Sequence, residues 1–527
     1  HGEAWDYFPH DHARSRVYRW GEDGIAGITD NLNRLNFAVA LWNGNDPIIK
    51  ERLFGLTGPE GNHAEDVKEL YYYLDSTPTH SYMKHLYKYP IAAFPYEQLA
   101  QTNKHRSKQE TEFEILDTGV FDNQQYFDVF TEYAKADAKD LLIKITVCNR
   151  SDKAAPISVV PNLWFTNLWS FGLLEEKPIL EVVSSGTNVS TIKATHPKLG
   201  TYFFYFDTPD RLLFAENETN TERLYGQANS TPRPKDAIND AVVSGDFSKF
   251  EGITQGTKFS PLYQIEIAAG ASIEFKFRLS KDPVKGQPLK TTFNKVFKER
   301  LQEANDFYEA ITSSDKHTDD ANIQRQAFAG MLWSKQYYYI DIPQWLNGDP
   351  GQVPPPEARK HGRNSDWKTL NNQDIISMPD KWEYPWYAAW DLAFHCVPLA
   401  MLDANFAKEQ LVLFLREWYM KPNGQLPAYE WAFGDVNPPV HAWGCLEVYR
   451  IEKEKTGVGD INFLKKVFQK LLINFTWWVN RKDHKDNNIF EGGFLGLDNI
   501  GVFDRSSAIP SGGHLEQADG TSWMAMY

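Results

Sequence analysis

The sequence has few cysteines, no long apolar runs and no basic excess. Its three cysteines, Cys148, Cys396 and Cys445, show no CxxC or Cys/His spacing, so neither a disulfide framework nor a structural zinc site is expected. No stretch approaches the ~20 consecutive apolar residues of a membrane-spanning helix. A net charge of −15 without a basic cluster argues against a nucleic-acid partner, because phosphate binding needs a basic face. We therefore expect a cytoplasmic protein that binds neither nucleic acid nor a membrane.

Several common catalytic motifs are also missing. The sequence contains no glycine-rich phosphate loop, no GxSxG turn and no HExxH motif, so nucleophilic serine or cysteine chemistry has no support. The chain begins at His1 without a methionine and ends at Tyr527, within "TSWMAMY". Both ends resemble sequence from the interior of a protein, so we expect the chain to be a fragment. Whether a signal peptide precedes it is left open.

Aromatic residues are abundant. Seventeen Trp, 25 Tyr and 33 Phe make up 14% of the chain, and many stand beside carboxylates or amides. Aromatic rings pack against the C–H faces of sugars while neighbouring polar groups bind the hydroxyls. The alternative is that the aromatics fill large cores. Composition alone leaves both interpretations open.

Residues 1–285 read as a β-sandwich domain. The segments "LLIKITVCNR" (141–150) and "ASIEFKFRL" (271–279) alternate apolar and polar residues, the period of half-buried antiparallel strands. Similar runs occur in "PISVVPNLWF", "GTYFFYFDT" and "PLYQIEIAAG", between Asn, Gly, Pro and Asp turns. Many strands without intervening helices predict two packed sheets.

The pattern changes to helical after residue 285. Residues 286–320 are predicted to form a helical linker, and residues 321–527 a helical domain. Five helical stretches are predicted, at 321–340, 391–403, 405–420, 440–456 and 461–482. The last has one wide apolar face that includes Phe463, Val467, Phe468 and Leu472. The long loops between them suggest function, and hairpins whose loops gather at one end predict a toroid with an active-site rim.

Asp391 in "YPWYAAWDLAFH" is the best candidate for a general acid. Glycoside hydrolysis needs a carboxylic acid that protonates the leaving oxygen, and an inverting enzyme adds a carboxylate base about 6.5–9.5 Å away. Asp391 follows Trp386 and Trp390, which could form a sugar pocket. The alternative is an N-cap, because Asp before an apolar periodic run is a common helix start. Helix amides would then favour the anion, the opposite of what an acid requires.

Other loops supply candidate sugar contacts, each with an ordinary alternative such as an ion pair, helix packing or an Asx turn. Together they offer the carboxylates, amides and aromatic rings that a sugar pocket requires. The candidates are Glu430, Trp431, His441, Trp443, Asp498 and Asn499.

The segments "YPWYAAWDLAFH", "NPPVHAWG", "EGGFLGLDN" and "QADGTSWMAMY" resemble glycoside hydrolase family 63, the processing α-glucosidases, in its bacterial and archaeal branch. The N-terminal run from "RWGEDGIAGITD" to "YLDSTPTHSYMK" resembles the same branch, so the likeness spans the chain. It implies an N-terminal super-β-sandwich, an (α/α)6 toroid and inverting hydrolysis of α-linked glucose-like residues. No obligatory cofactor or catalytic metal is implied, and a structural calcium ion is left open.

The resemblance also implies residue roles. Asp391 matches the general acid, Trp386 and Trp390 match pocket aromatics, and Asp498 with Asn499 matches a sugar-contacting turn. Glu430, Trp431, His441 and Trp443 fall on segments that resemble subsite walls. No residue here matches the family's general base, so the fragment is expected to hold the first half of the toroid and to be inactive by itself.

Two other functions stay open, a phosphorylase of similar architecture and a non-catalytic carbohydrate-binding protein. The substrate is open as well, because related enzymes act on α-glucosyl disaccharides, glycan termini, or glucosyl- and mannosylglycerate. A glycerate carboxylate would need a cation, for which Arg363, Lys381 and Arg505 lie near candidate loops.

Overall fold

The computed structural model describes residues 10–56, 66–107, 109–186, 189–312, 317–362, 364–383, 387–428, 438–480, 491–493, 518–519 and 521–527. The chain divides into two compact units. We call Trp5–Trp333 with Asp349–Val353 the sheet unit. The segments Ser334–Gly348 and Pro354–Tyr527 form the helical unit.

The described part of the sheet unit contains eighteen strands. They are β1 (Ile25–Thr29), β2 (Leu35–Val39), β3 (Leu41–Trp42), β4 (Gly55–Leu56), β5 (Asp66–Val67), β6 (Leu70–Ser76), β7 (Tyr82–Pro90), β8 (Tyr126–Asp137), β9 (Asp140–Asn149), β10 (Ala155–Val159), β11 (Asn162–Phe165), β12 (Ile179–Ser185), β13 (Val189–His196), β14 (Gly200–Asp207), β15 (Arg211–Ala215), β16 (Gln255–Gly256), β17 (Lys258–Ile267) and β18 (Ser272–Ser280). Its helices are α1 (His10–Ala13), α2 (Tyr96–His105), α3 (Thr221–Tyr225), α4 (Ala237–Ser244), α5 (Thr291–Ile311) and α6 (Thr318–Trp333).

Sixteen of these strands form two antiparallel sheets, and β4 and β5 pair with each other as a separate antiparallel ribbon. The order is β1-β2-β11-β17-β10-β3 in the first, with β15 also on β17, and β16-β12-β13-β14-β18-β9-β8-β7-β6 in the second. Phe37 of β2 lies 6.1 Å from Phe277 of β18 between ring centroids, so aromatic rings of the two sheets meet in the core. Ile143 and Ile145 of β9 are fully buried, as the alternation predicted. The prediction of a β-rich first part is confirmed.

Helix α5, which lies within the segment 286–320 predicted as a linker, packs on the second sheet. Phe293 and Phe297 of α5 pack in one cluster with Tyr82 and Leu142 of that sheet. Trp333, at the end of α6, stacks on Tyr73 of β6 at 5.4 Å. Both helices therefore belong to the sheet unit, and the boundary between units follows Trp333 instead of residue 320.

The buried carboxylate of Glu22 is hydrogen-bonded to several segments of the chain beside the first sheet. Glu22 accepts hydrogen bonds from Lys235 Nζ at 2.7 Å, Trp164 Nε1 at 3.0 Å and Asn217 Nδ2 at 2.7 Å. Burial opposes the charge, but the two lysines Lys235 and Lys258 and these hydrogen bonds lower the pKa of Glu22 overall. Three segments distant in sequence are thereby joined to the strand β11.

The described part of the helical unit comprises β19 (Lys335–Asp341), α7 (Ile342–Asn347), β20 (Asn371–Ser377), α8 (Ala389–Phe414), α9 (Val440–Thr456), α10 (Ile461–Val479), β21 (Glu491–Gly493), β22 (Ala518–Asp519) and α11 (Thr521–Met526). The predicted helices within 391–420, 440–456 and 461–482 are confirmed by α8, α9 and α10. The prediction of helix through residue 340 was wrong for its last part. There "KQYYYID" pairs with β20 as an antiparallel ribbon, which suits its run of aromatic residues.

Helix α8 consists of two segments that break at Asp403, where φ is −150° and ψ is 87°. The carboxylate of Asp403 accepts from Phe406 N at 3.0 Å and so caps the second segment. Lys455 of α9 donates to Met401 O at 2.9 Å, whereas Lys408 pairs with Glu452 at 2.7 Å. Gly444 of α9 also contacts Ala393, and His441 of α9 contacts Leu411 O, so the first segment of α8 runs parallel to α9 and the second antiparallel to it.

The apolar face predicted for α10 is only partly buried. Phe463 and Val467 are 5% and 3% exposed, whereas Phe468 and Leu472 are 62% and 48% exposed. Among the helices described, none is both long and apolar enough to cross a membrane. The (α/α)6 toroid stays a prediction.

We expect the Glu22→Gln substitution to lower the free energy of unfolding of the sheet unit by about 3 kcal/mol at pH 7, because the largely buried Lys235 loses its counter-charge. The pKa of Glu22 is lowered in the folded state, so its stabilising effect is complete above the unfolded-state pKa near 4.5 and is lost as the pH falls through the folded-state pKa. Urea unfolding should therefore show a smaller difference from wild type below pH 4 than at pH 7. The control is Glu181→Gln, at a more exposed ion pair with Lys193. An equal loss in both variants would contradict the role of Glu22.

Candidate active site

Asp391 lies in the first turn of α8. Helix α8 begins at Ala389 and its N-cap is Ala388, so Asp391 is the third helical residue. The N-cap alternative for Asp391 is therefore wrong. The side chain is half-buried, and the start of the helix is tied to Ala428 O by the backbone N–H of Ala389.

An aromatic row of Trp390, Phe394 and Trp443 lies beside this turn. Trp390 and Phe394 are one turn apart on α8, with ring centroids 6.0 Å apart. Phe394 lies 5.6 Å from Trp443 of α9. The structure thus brings together two of the predicted tryptophans, Trp390 and Trp443, through Phe394, which is 38% exposed. Sequence reasoning missed Phe394, although its position four residues after Trp390 in "WDLAFH" was the available signal.

The row depends on a close approach of α8 and α9. A Cβ atom added to Gly444 would lie 3.0 Å from the backbone oxygen of Ala393, a contact tighter than most Cβ atoms make, so a larger residue there would push the two helices slightly apart. Tyr387, just before α8, stacks on Phe414 at 4.7 Å and donates to Tyr419 O at 2.7 Å. These contacts fix the start of α8, and with it Trp390 and Asp391.

His441, predicted to contact sugar, is only 4% exposed and packs between the helices. Its Nε2 lies 2.8 Å from Leu411 O, and its Nδ1 has no hydrogen-bond partner among the described residues. Burial lowers the pKa of His441 to about 4. The ring is therefore neutral at physiological pH and donates from Nε2 to the carbonyl, which ties the start of α9 to the second segment of α8.

A second histidine, which sequence reasoning did not select, lies one turn after Asp391. His395 Nδ1 is 3.2 Å from Ser377 Oγ at the end of β20. Burial lowers the pKa of His395 to about 4. No sequence signal pointed to this pair, because Ser377 and His395 belong to different elements.

Several predicted site residues lie outside the described residues. These are Trp386, Glu430, Trp431, Asp498 and Asn499, together with the candidate cations Arg363 and Arg505. Lys381 is described and half-buried.

In the part of the chain that the structure describes, no group of three or more His, Cys, Asp or Glu residues could hold a metal ion. The three cysteines are buried and unbridged, and Cys396 and Cys445 lie on α8 and α9.

Comparison with known proteins places a family match on the helical unit. Residues 384–495 match the mannosylglycerate hydrolase MGH1-like glycoside hydrolase domain. The matched segment includes Asp391, the aromatic row and His441.

The chain is 47% identical over 570 aligned residues to the uncharacterised protein YMR196W of Saccharomyces cerevisiae (strain ATCC 204508 / S288c). The alignment covers 100% of this chain and 52% of that protein, so the chain spans about half the length of this relative.

Two solved structures share 10% sequence identity with the chain. A provisionally assigned kojibiose phosphorylase from the human microbiome has a TM-score of 0.23, with 70% of this chain and 45% of that chain covered. The polysaccharide lyase BACCELL_00875 also has a TM-score of 0.23, with 85% and 62% covered. Scores this low carry no argument about fold or function. The family match alone relates the helical unit to carbohydrate-active enzymes.

We expect Gly444→Ala to destabilise the helical unit by about 1–3 kcal/mol, because the added methyl group must displace the Ala393 backbone. Thermal unfolding measures the loss. The control is Arg450→Ala, at an exposed position of α9, which should change stability by no more than about 0.5 kcal/mol. Equal stability of the Gly444 variant and wild type would show that α8 and α9 do not need this contact.

The neutral state of His441 predicts a pH dependence. Its pKa falls from about 6.5 unfolded to about 4 folded, so the unfolded state binds the proton first. Stability is therefore complete above pH ~6.5 and falls as the pH drops towards 4, by at most ~1.4 kcal/mol per pH unit for this site. His441→Gln, which keeps a donor for Leu411 O, should reduce that slope in urea unfolding. His361→Gln, at an exposed position, should not. Identical slopes in both variants and wild type would contradict the assignment.

Proposed function

We propose that the protein is an inverting glycoside hydrolase that cleaves α-linked glucose-like residues from oligosaccharides or small glucosides. The observation that carries the proposal is the half-buried Asp391 in the same helical turn as an aromatic row, inside the segment that matches a glycoside hydrolase domain. A carboxyl group beside aromatic rings is the arrangement needed to protonate a glycosidic oxygen while the sugar ring is held.

In this proposal Asp391 is the general acid. Trp390, Phe394 and Trp443 bind the sugar through their ring faces, and Phe394 is added to the predicted set because it is exposed between the other two. Trp386, Glu430, Trp431, Asp498 and Asn499 complete the proposed pocket from outside the described residues.

His441 has a different role in the proposal from the one that the sequence predicted. Its ring is buried and bonded to Leu411 O, so it fixes the start of α9, two residues before Trp443, instead of contacting the sugar. It is a positioning residue for the aromatic row.

The family match favours testing one substrate class that the sequence left open. The matched domain is named after mannosylglycerate hydrolase, so glycosides of glycerate are tested beside the α-glucosides. A glycerate carboxylate would need a cation in the pocket, and Lys381 is the described candidate.

The test uses purified protein, in the native length of the gene product, with kojibiose, isomaltose, nigerose, glucosylglycerate and mannosylglycerate. We expect hydrolysis of at least one of them without added phosphate, and an initial product of inverted anomeric configuration by NMR. Asp391→Asn should lower kcat by at least about 100-fold while substrate binding stays within a few-fold, because the amide cannot donate the proton. Trp443→Ala should weaken binding. Glu447→Gln, on the same helix as Trp443, is the control.

Three results would contradict the proposal. Sugar 1-phosphate formed only with phosphate would identify a phosphorylase, and binding without turnover that is insensitive to Asp391→Asn would indicate a carbohydrate-binding protein. Activity of Asp391→Asn within a few-fold of wild type would remove Asp391 from the role of acid.

A further inference from the structure

Three asparagines stand in the N-glycosylation motif Asn-x-Ser/Thr and yet have buried side chains. The motif reads "NRS" at Asn149, "NET" at Asn217 and "NFT" at Asn474. The exposed fractions of these residues are 1%, 0% and 5%. In a secreted protein the acceptor asparagine of this motif lies on the surface, because the attached glycan is bulky and hydrated. The structure leaves no such space around these three side chains.

The side-chain amide of Asn149 uses both of its hydrogens in the core of the sheet unit. Its Nδ2 donates to Lys153 O at 2.7 Å and to Ile267 O at 2.9 Å. Asn149 ends β9 of the second sheet and Ile267 ends β17 of the first, so this amide joins the two sheets. An N-glycan replaces one Nδ2 hydrogen by a sugar carbon, and one of these two hydrogen bonds would then be lost.

The amide of Asn217 also uses both of its hydrogens. Its Nδ2 donates to Glu22 Oε2 at 2.7 Å and to Phe165 O at 3.0 Å. A glycan on this nitrogen would remove a donor either from the buried carboxylate or from the backbone carbonyl. Loss of a hydrogen bond to a buried group costs the full desolvation penalty of that group, and the penalty is larger when the group is charged.

Asn474 lies on the buried face of α10. Its Nδ2 donates to Gly424 O at 2.8 Å. A Cβ atom added to Gly424 would already lie 2.7 Å from Ile473 O, so the turn at Gly424 packs directly against this part of the helix. A glycan on Asn474 would therefore have to separate the turn from α10.

The fourth described motif, "NST" at Asn229, is in a different environment. Asn229 is half-buried between the exposed residues Ala228 and Ser230, and one of its hydrogen bonds, to Glu222 Oε2 at 3.4 Å, is at the surface. The fifth motif, at Asn188, lies outside the described residues. Burial is thus a property of three particular motifs.

We propose that N-glycosylation at Asn149, Asn217 and Asn474 is incompatible with the native fold, and that the protein folds in a compartment without N-glycosylation. N-glycans are attached to a chain that is still unfolded, before burial protects its asparagines. A chain modified at these positions cannot form the hydrogen bonds to Ile267 O, Glu22 and Gly424 O together. The proposal is independent of the proposed enzymatic activity.

The first test is peptide mass spectrometry of the protein purified from its own cells. We expect unmodified asparagine at all three positions, and a glycan on any of them in folded protein would overturn the proposal.

The second test translates the full-length gene product, fused to a secretory signal, in a cell-free system with or without microsomal membranes. Without membranes the protein should resist trypsin. Inside microsomes it should carry glycans at the three positions and be digested, because the glycans prevent burial. A short acceptor peptide that competes for glycosylation should restore the resistance.

Thr476→Val, which removes the motif at Asn474, is the matched variant. Thr476 is exposed and its hydroxyl donates to Leu472 O within α10, so resistance to trypsin without membranes should stay unchanged. The microsomal product should lack one glycan, whereas Thr476→Ser, which keeps the motif, should match wild type. Three outcomes would reject the proposal: a trypsin-resistant product glycosylated at these positions, a product that folds inside microsomes with the three asparagines unmodified and no competitor added, or a digested product that the competing peptide does not rescue.

Discussion

The close packing of α8 against α9 is the constraint on which the candidate site depends. Gly444 allows the backbone of α9 to approach Ala393 on α8, since any larger residue would place a carbon atom 3.0 Å from a backbone oxygen. That contact is one turn from Trp390 and adjacent to Trp443, so the aromatic row exists only while the two helices remain this close. Two further contacts join the second segment of α8 to α9: the hydrogen bond of His441 to Leu411 O, and the ion pair of Lys408 with Glu452.

The two buried histidines of α8 and α9 are neutral. His395 and His441 both have a pKa lowered to about 4 by burial, so neither ring carries a positive charge at physiological pH. In the sheet unit, by contrast, a buried group is charged. Its buried Glu22 keeps its charge because two lysines and two hydrogen-bond donors surround it. Burial has different consequences in the two places because Lys235 and Lys258 lie beside Glu22, whereas burial is the main cause of the pKa shift of each histidine.

Local periodicity predicted most of the secondary structure. Alternating residues gave the positions of β9 and β18, and helical spacing gave α9 and α10. Two segments departed from prediction for tertiary reasons. Residues 335–341 pair with a strand about thirty residues later, which no local pattern showed. Helix α6 has its place beside β6 because Trp333 stacks on Tyr73, a contact between residues far apart in sequence.

The sequence by itself determined the order of a strand-rich part and a helical part, and it placed Asp391 near the start of a helix beside tryptophan. These features follow from residue spacing along the chain, which backbone geometry converts directly into strands and helices. Tertiary structure decided that Asp391 is inside the first turn and not its cap, that Phe394 joins Trp390 to Trp443, and that His441 is buried. It also placed Ser377 beside His395. Such contacts depend on how closely helices and strands pack. Packing brings together residues that are far apart in the sequence and not regularly spaced along it, so no local pattern predicts these contacts.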